Sequence, residues 1–250
     1  MQVQGFSQDV NVNDQEVFWE KINKFSKSNV VENNLGYMYM MLQFAKNANI
    51  KVTEEYLNSL GKKIKFFPGV ETWFDRINEF GKKNGVEVEH YILSSGLREI
   101  IEGTKISKHF KRIYASAYYY ENGEAKWPSW VVDYTSKTRY IFRISKGKLD
   151  LLDNSINDNM EREEYYMPIN NIIYIGDSDT DIPAMTLVQR NGGISIGVYG
   201  KYNRELEAKL LQKSRVDSYV SADYSKGGSL EDTVSKAIIK IIKNGASTPK

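Results

Sequence analysis

The sequence predicts an α/β protein: a doubly wound parallel sheet with helices on both faces, preceded by a small helical domain. Three observations carry this. Past residue 67, short apolar runs alternate with segments of helical period, as in parallel sheets whose crossovers are helices. One of these runs, Ile172, Ile173, Tyr174 and Ile175, is near-continuous, as in a strand covered on both faces, and it ends at Gly176 before aspartates at 177, 179 and 181. Before residue 66 the apolar positions recur only at helical spacing, so residues 1–66 are expected to form the helical domain and 67–250 the α/β core.

Composition narrows the function. The 250 residues carry 34 basic and 32 acidic side chains, so charge implies no nucleic-acid or membrane partner. No apolar stretch approaches the roughly 20 residues of a membrane span, and the N-terminus lacks a secretory layout, which makes a cytoplasmic protein the expectation. With no cysteine, disulfide scaffolds, thiolate metal sites and cysteine nucleophiles are excluded together. The two histidines, His90 and His109, have no recognisable nucleophile partner, and His90 sits inside an apolar strand pattern.

Residues 1–13 are polar and without sustained period. Asp14 is placed to cap a helix in which Val17, Phe18, Lys21, Ile22 and Phe25 recur at helical spacing. A second helix, from about Glu32 to Asn47, holds Tyr37, Met38, Tyr39, Met40, Met41 and Phe44, an apolar surface too broad for one face. It is either buried between neighbours or lines a pocket. Thr53 followed by Glu54, Glu55 and Tyr56 starts a third helix, ending near Gly61. Pro68 and Gly69 then punctuate the chain before an amphipathic helix with Val70, Trp73, Phe74, Ile77 and Phe80 on one side.

Next, Val88, Tyr91, Ile92 and Leu93 read as a strand, Ser94, Ser95 and Gly96 as a turn, and Leu97 onward as a helix. Hydroxyl and backbone N–H groups at a helix N-terminus can bind an anion; a plain serine cap fits the same residues. Asn122-Gly123 between aromatic runs is a two-residue hairpin signal. Thr135 or Ser136 caps a helix with Tyr140, Ile141 and Ile144 inward. Lys137 then falls in the first turn, where its charge opposes the helix dipole, so something anionic is expected to compensate. Residues 148–166 are acidic, Asn-rich and without period, a solvated loop or insertion. After Met185 come a strand at Gly193–Val198, a helix over 203–214, a short strand at Asp217–Val220, a helix from Ser229 to Lys243 and a tail expected to be disordered.

Three chemistries fit the acidic turn unequally. A solvated loop with an aspartate cap is the simplest. An EF-hand calcium loop requires Gly and Glu where this chain has Ile182 and Val188. A magnesium site needs one or two carboxylates, with water and substrate phosphate supplying the other oxygens, and ligand sites of open parallel sheets lie at the carboxyl ends of strands.

The stretch GDSDTDIPAM resembles the fourth motif of the haloacid dehalogenase-like (HAD) superfamily, most of whose members are magnesium-dependent phosphatases. Its Gly-Asp with a second Asp four residues after the first selects Asp177 and Asp181, with Asp179 extra. Two further motifs of that family match in order. The Ser or Thr that holds phosphate at the end of the second core strand corresponds to Ser95, followed by Gly96, with Ser94 as runner-up. The lysine of the third motif corresponds to Lys137, with Lys146 and Lys148 as later alternatives. The hairpin region resembles that of phosphoserine phosphatase-like members.

The resemblance implies a Rossmann-like core with a helical cap, and a Mg2+-dependent phosphatase acting on a small phosphorylated metabolite through an aspartyl-phosphate intermediate. Asp177 and Asp181 are then the metal residues, and Ser95, Gly96 and Lys137 the phosphate-binding ones. The first motif, an apolar strand ending Asp-x-Asp, has no match. Asp9-Val10-Asn11 lacks both the apolar run and the second acid. The expectation is therefore that the nucleophile strand precedes Met1 and that residues 1–250 alone are inactive. The alternative is a non-catalytic protein on this scaffold that binds a phosphorylated ligand or a protein partner.

Overall fold

A computed structural model describes residues 3–12, 15–200, 205 and 215–245. Asp14, the helix expected over 203–214 and the tail after Gly245 lie outside the described residues. Two compact units are formed, each from two stretches of chain: Met1–Lys65 with Tyr91–Asp133, and Phe66–His90 with Tyr134–Lys250. Among the described residues no helix is long and apolar enough to cross a membrane.

The first unit begins with four helices, α1 (Val3–Asp9), α2 (Gln15–Asn29), α3 (Asn33–Asn47) and α4 (Glu54–Gly61). The first of these was not expected; it exists because Phe6 is fully buried beside Phe18 and Val10. Thr53 caps α4 through Oγ1, accepting from Tyr56 N at 3.1 Å, as the capping rule predicts. The broad apolar surface of α3 divides: Tyr37, Met38 and Met41 enter the core, while Tyr39 stays 47% exposed and stacks on Phe25.

A three-stranded sheet belongs to the same unit, so this unit is not purely helical and the core does not run unbroken from residue 67. Its strands are β1 (His90–Leu97), β2 (Phe110–Glu121) and β3 (Glu124–Trp130), in that order, with a short helix α6 (Arg98–Glu102) after β1. The physical reason is a close helix contact. A Cβ on Gly61 of α4 would fall 2.2 Å from Ile100 O, and one on Gly103 would fall 2.0 Å from Asn58 O. Two bare backbones thus pack α4 against α6, a role different from the helix stop that Gly61 suggests. Strands β2 and β3 are antiparallel about Asn122-Gly123, both at positive φ, the hairpin expected. A register shift at Ala117/Tyr118 is met by fully buried Glu99, whose Oε1 accepts from Tyr118 N at 3.1 Å and from the Tyr120 hydroxyl at 3.0 Å.

The second unit holds α5 (Val70–Lys83), α7 (Ser136–Lys146) and α8 (Ile182–Arg190) with the parallel sheet β4 (Ile173–Gly176), β5 (Ile194–Tyr199) and β6 (Ser218–Ser221), and closes with α9 (Ser229–Lys243). Strand β5 lies between β4 and β6, parallel to both, and its first five residues are buried. Helix α5 buries Val70, Trp73, Phe74 and Ile77, and is tied to α9 by Arg76 Nε to Glu231 Oε1 at 2.6 Å. His90 Nε2 lies 2.7 Å from Asn78 Oδ1 with its ring edge-on to Phe74, a packing role. The segment 148–166 is not a free loop. Arg143 of α7 donates to the carbonyls of Lys148, Asp150, Leu151 and Asp153, and Lys146 to those of Ile156 and Asp158. Two cations at a helix C-terminus thus organise a stretch whose own sequence has no period.

Candidate active site

The site forms where β4 ends. Gly176 is the last strand residue, and a Cβ there would lie 2.7 Å from Asp181 Cβ, Asp181 Cγ and Met185 Cε. Only a glycine lets the turn fold back so that Asp181 lies over the strand end. Helix α8 starts at once behind it, with Pro183 in its first turn where a missing N–H costs little.

Asp181 is buried and gathers donors on both oxygens. Oδ1 accepts from Lys137 Nζ at 2.7 Å and from the Tyr174 hydroxyl at 2.7 Å. Oδ2 accepts from the backbone N–H of Asp177 at 3.2 Å and of Ser178 at 3.3 Å, and from the Ser178 hydroxyl at 3.1 Å. Lys137 is the cation opposing its own helix dipole, and Asp181 is the anion that compensates it. Their side chains are 5% and 7% exposed, so breaking the pair would strand a buried charge. Lys137 also donates to Thr180 Oγ1 at 3.0 Å, and Thr180 Oγ1 lies 2.8 Å from Ser178 Oγ. An ammonium has three N–H groups; among the described residues two are engaged, leaving one for an incoming oxygen.

Asp177 differs. Its side chain is exposed, and among the described residues no other side chain donates to its carboxylate. Crowding by surrounding protein, and then the Asp181 charge, raise its pKa above the ordinary aspartate value, with Lys137 pulling it back. A cation beside it would favour the charged form. The donor chemistry fits magnesium: a carboxylate with no side-chain donor among the described residues is the hard oxygen ligand that this ion takes alongside water and phosphate oxygens. Among the described residues no three His, Asp or Glu side chains converge. Asp179 is exposed on the same turn.

The structure thus brings Lys137, Asp177 and Asp181 together. Ser95 and Gly96 lie in the first unit, and not in a turn: β1 continues through Leu97. Gly96 N donates to Ser94 Oγ at 3.1 Å, and Ser116 Oγ to Ser95 O at 3.1 Å. The strand runs on because the hydroxyls on and beside it bond its backbone, whereas the sequence offers Ser-Ser-Gly as punctuation. The Ser95 hydroxyl is itself buried, with no partner among the described residues. Of the alternatives, Lys146 is spent on carbonyls at the other end of α7. Asp9 ends α1 and accepts from the Tyr56 hydroxyl at 3.0 Å, so Asp9-Val10-Asn11 is no strand. Tyr174 escaped the sequence reading because it counts as apolar in a buried run. A tyrosine where such strands take aliphatic residues was the available signal; burial and then the Asp181 charge raise its pKa well above 10.

Comparison with solved structures places this architecture. The chain superposes on a HAD family hydrolase from Salmonella enterica serovar Typhi (TM-score 0.59, 14% identity, 88% of this chain and 61% of that one). It superposes equally on a phosphoserine phosphatase in apo form (0.57, 13%, 94% and 90%) and on a probable phosphoserine phosphatase from Vibrio cholerae (0.60, 12%, 98% and 62%). The chain has the fold of the HAD-like hydrolases. It spans about three-fifths of the Salmonella and Vibrio chains and nine-tenths of the third. An uncharacterized protein of Borreliella burgdorferi is 28% identical over 249 residues, 88% of this chain and 86% of that protein. No family model matches the sequence.

Proposed function

We propose that this HAD-fold chain belongs to a magnesium-dependent phosphatase of the phosphoserine phosphatase-like branch, acting on a small phosphorylated metabolite. The carrying observation is the buried Lys137–Asp181 pair, 2.7 Å apart, beside the exposed Asp177 carboxylate at the end of a parallel strand. In this reading Asp177 holds the ion, which when bound supplies charge neutralisation for phosphoryl oxygens. Asp181, with both oxygens engaged, orients Lys137 and the turn. Lys137 directs its remaining N–H at a phosphoryl oxygen, where a fixed donor stabilises charge as it develops. Ser95 and Gly96 are assigned to phosphate binding by the family resemblance alone; among the described residues the Ser95 hydroxyl has no hydrogen-bond partner.

Hydrolysis through an aspartyl-phosphate needs a first-motif strand ending Asp-x-Asp, and the one run of that spacing in the sequence, Asp177 to Asp181, is the turn assigned to the fourth motif. The reading therefore leaves the nucleophile unassigned among residues 1–250. Phosphate release from a panel of small phosphomonoesters, with and without magnesium, tests it. Loss of turnover in Asp177→Asn is expected. A protein that binds phosphorylated ligands but shows no release under any condition, with binding unchanged by Asp177→Asn, would establish the non-catalytic reading instead.

A further inference from the structure

We infer that Tyr174 is a positioning residue, its hydroxyl fixing the Asp181 carboxylate and through it the Lys137 ammonium and the backbone of the Asp177 turn. Three observations meet in one carboxylate. Tyr174 is 8% exposed and lies two residues before the end of the strand, so its ring is held by the sheet. Its hydroxyl donates to the same oxygen, Oδ1, that receives Lys137 Nζ, and both distances are 2.7 Å. The other oxygen, Oδ2, takes the N–H groups of Asp177 and Ser178. A carboxylate is a rigid plane, so fixing Oδ1 from the strand fixes where Oδ2 points, and therefore how the backbone of Asp177 is held. Without the hydroxyl the lysine alone would hold Oδ1, and a flexible four-carbon stem constrains a plane poorly. Among the described residues the Tyr174 hydroxyl bonds to Asp181 and not to the Asp177 carboxylate proposed to hold the ion. Its effect on chemistry runs through Asp181, and only that effect rests on the function proposed above.

Tyr174→Phe keeps the ring and removes one charge-assisted hydrogen bond. Residue-resolved amide hydrogen exchange on the metal-free chain is the primary test. Exchange at Asp177 and Ser178 should accelerate about tenfold, while amides of β5 keep their wild-type rates. Unchanged exchange at the two amides, or an equal acceleration in β5, would overturn the inference, since packing or global stability alone predicts those results. If Tyr174→Phe does not fold, 3-fluorotyrosine at position 174 preserves shape and strengthens the donor. Slower exchange at the same two amides is then expected, and no change refutes the inference. Magnesium titration separates the two readings. Failure of the wild-type chain to bind magnesium overturns the metal site and leaves the amide result to decide Tyr174. Wild-type binding weakened about tenfold in Tyr174→Phe supports both. Binding unchanged while the amides are released would uphold the positioning of the turn and refute its effect on the metal site.

Discussion

Two strand ends in this protein look alike in sequence and behave differently. Where the sequence suggests an end to β1, Leu93 is followed by two serines and a glycine; at the end of β4, Ile175 is followed by a glycine, an aspartate and a serine. The second breaks: the chain folds back at Gly176, and one carboxylate collects five donors. The first does not break, and Ser95 ends with a buried hydroxyl that has no partner among the described residues. The difference lies in what each side chain can recruit. A buried carboxylate must be surrounded by donors to be tolerated, so it organises its neighbourhood. A hydroxyl is satisfied by one bond, and along β1 the backbone takes those bonds.

The largest effect should come from breaking the organised end. Asp181→Ala leaves the Lys137 ammonium buried without its partner and should cost about 3–5 kcal/mol by chemical denaturation. The double variant Lys137→Met with Asp181→Leu, which buries no charge, should recover most of that loss. A Cβ at the same strand end comes next: Gly176→Ala pushes Asp181 and Met185 aside and should cost about 1–3 kcal/mol, with faster exchange at the amides of Asp177 and Ser178. On β1 the effect should be small. Ser95→Ala removes a buried hydroxyl that has no partner among the described residues and should change stability by less than about 0.5 kcal/mol. A loss above 1 kcal/mol would reveal a partner for that hydroxyl and narrow the contrast between the two ends.

The smallest effect concerns pH. The folded state raises the Asp177 pKa, so Asp177 disfavours folding once it ionises. Its favourable contribution is complete below the ordinary aspartate value and is lost as pH rises through the raised one. Asp177→Asn should therefore stabilise the metal-free chain at neutral pH, by no more than about 0.5 kcal/mol because solvent reaches the carboxylate. The gain should vanish near pH 3, as followed by thermal melts across the pH range. A gain that persists at low pH would trace to shape and not to charge.

What the sequence by itself determined was local. The Ile172–Ile175 run, the Asn122-Gly123 hairpin, the Thr53 cap and the inward face of α7 follow from period and turn chemistry, which act within a few residues. Lys137 was legible for the same reason: a lysine in a first helical turn is out of place without an anion. Asp177 and Asp181 were legible as a pair, but their division of labour was not. That division depends on where Tyr174 and Lys137 arrive, 7 and 44 residues away along the chain from Asp181. Tertiary structure also decided that residues 91–133 fold with the first 65, because the Gly61–Gly103 approach joins segments that no local pattern connects. It decided the shape of 148–166 too, where the backbone carbonyls of an irregular stretch converge on Arg143 and Lys146. Period reports which face of an element is apolar; it carries no record of which distant donor will reach a given oxygen, and at this strand end that is what sets the chemistry.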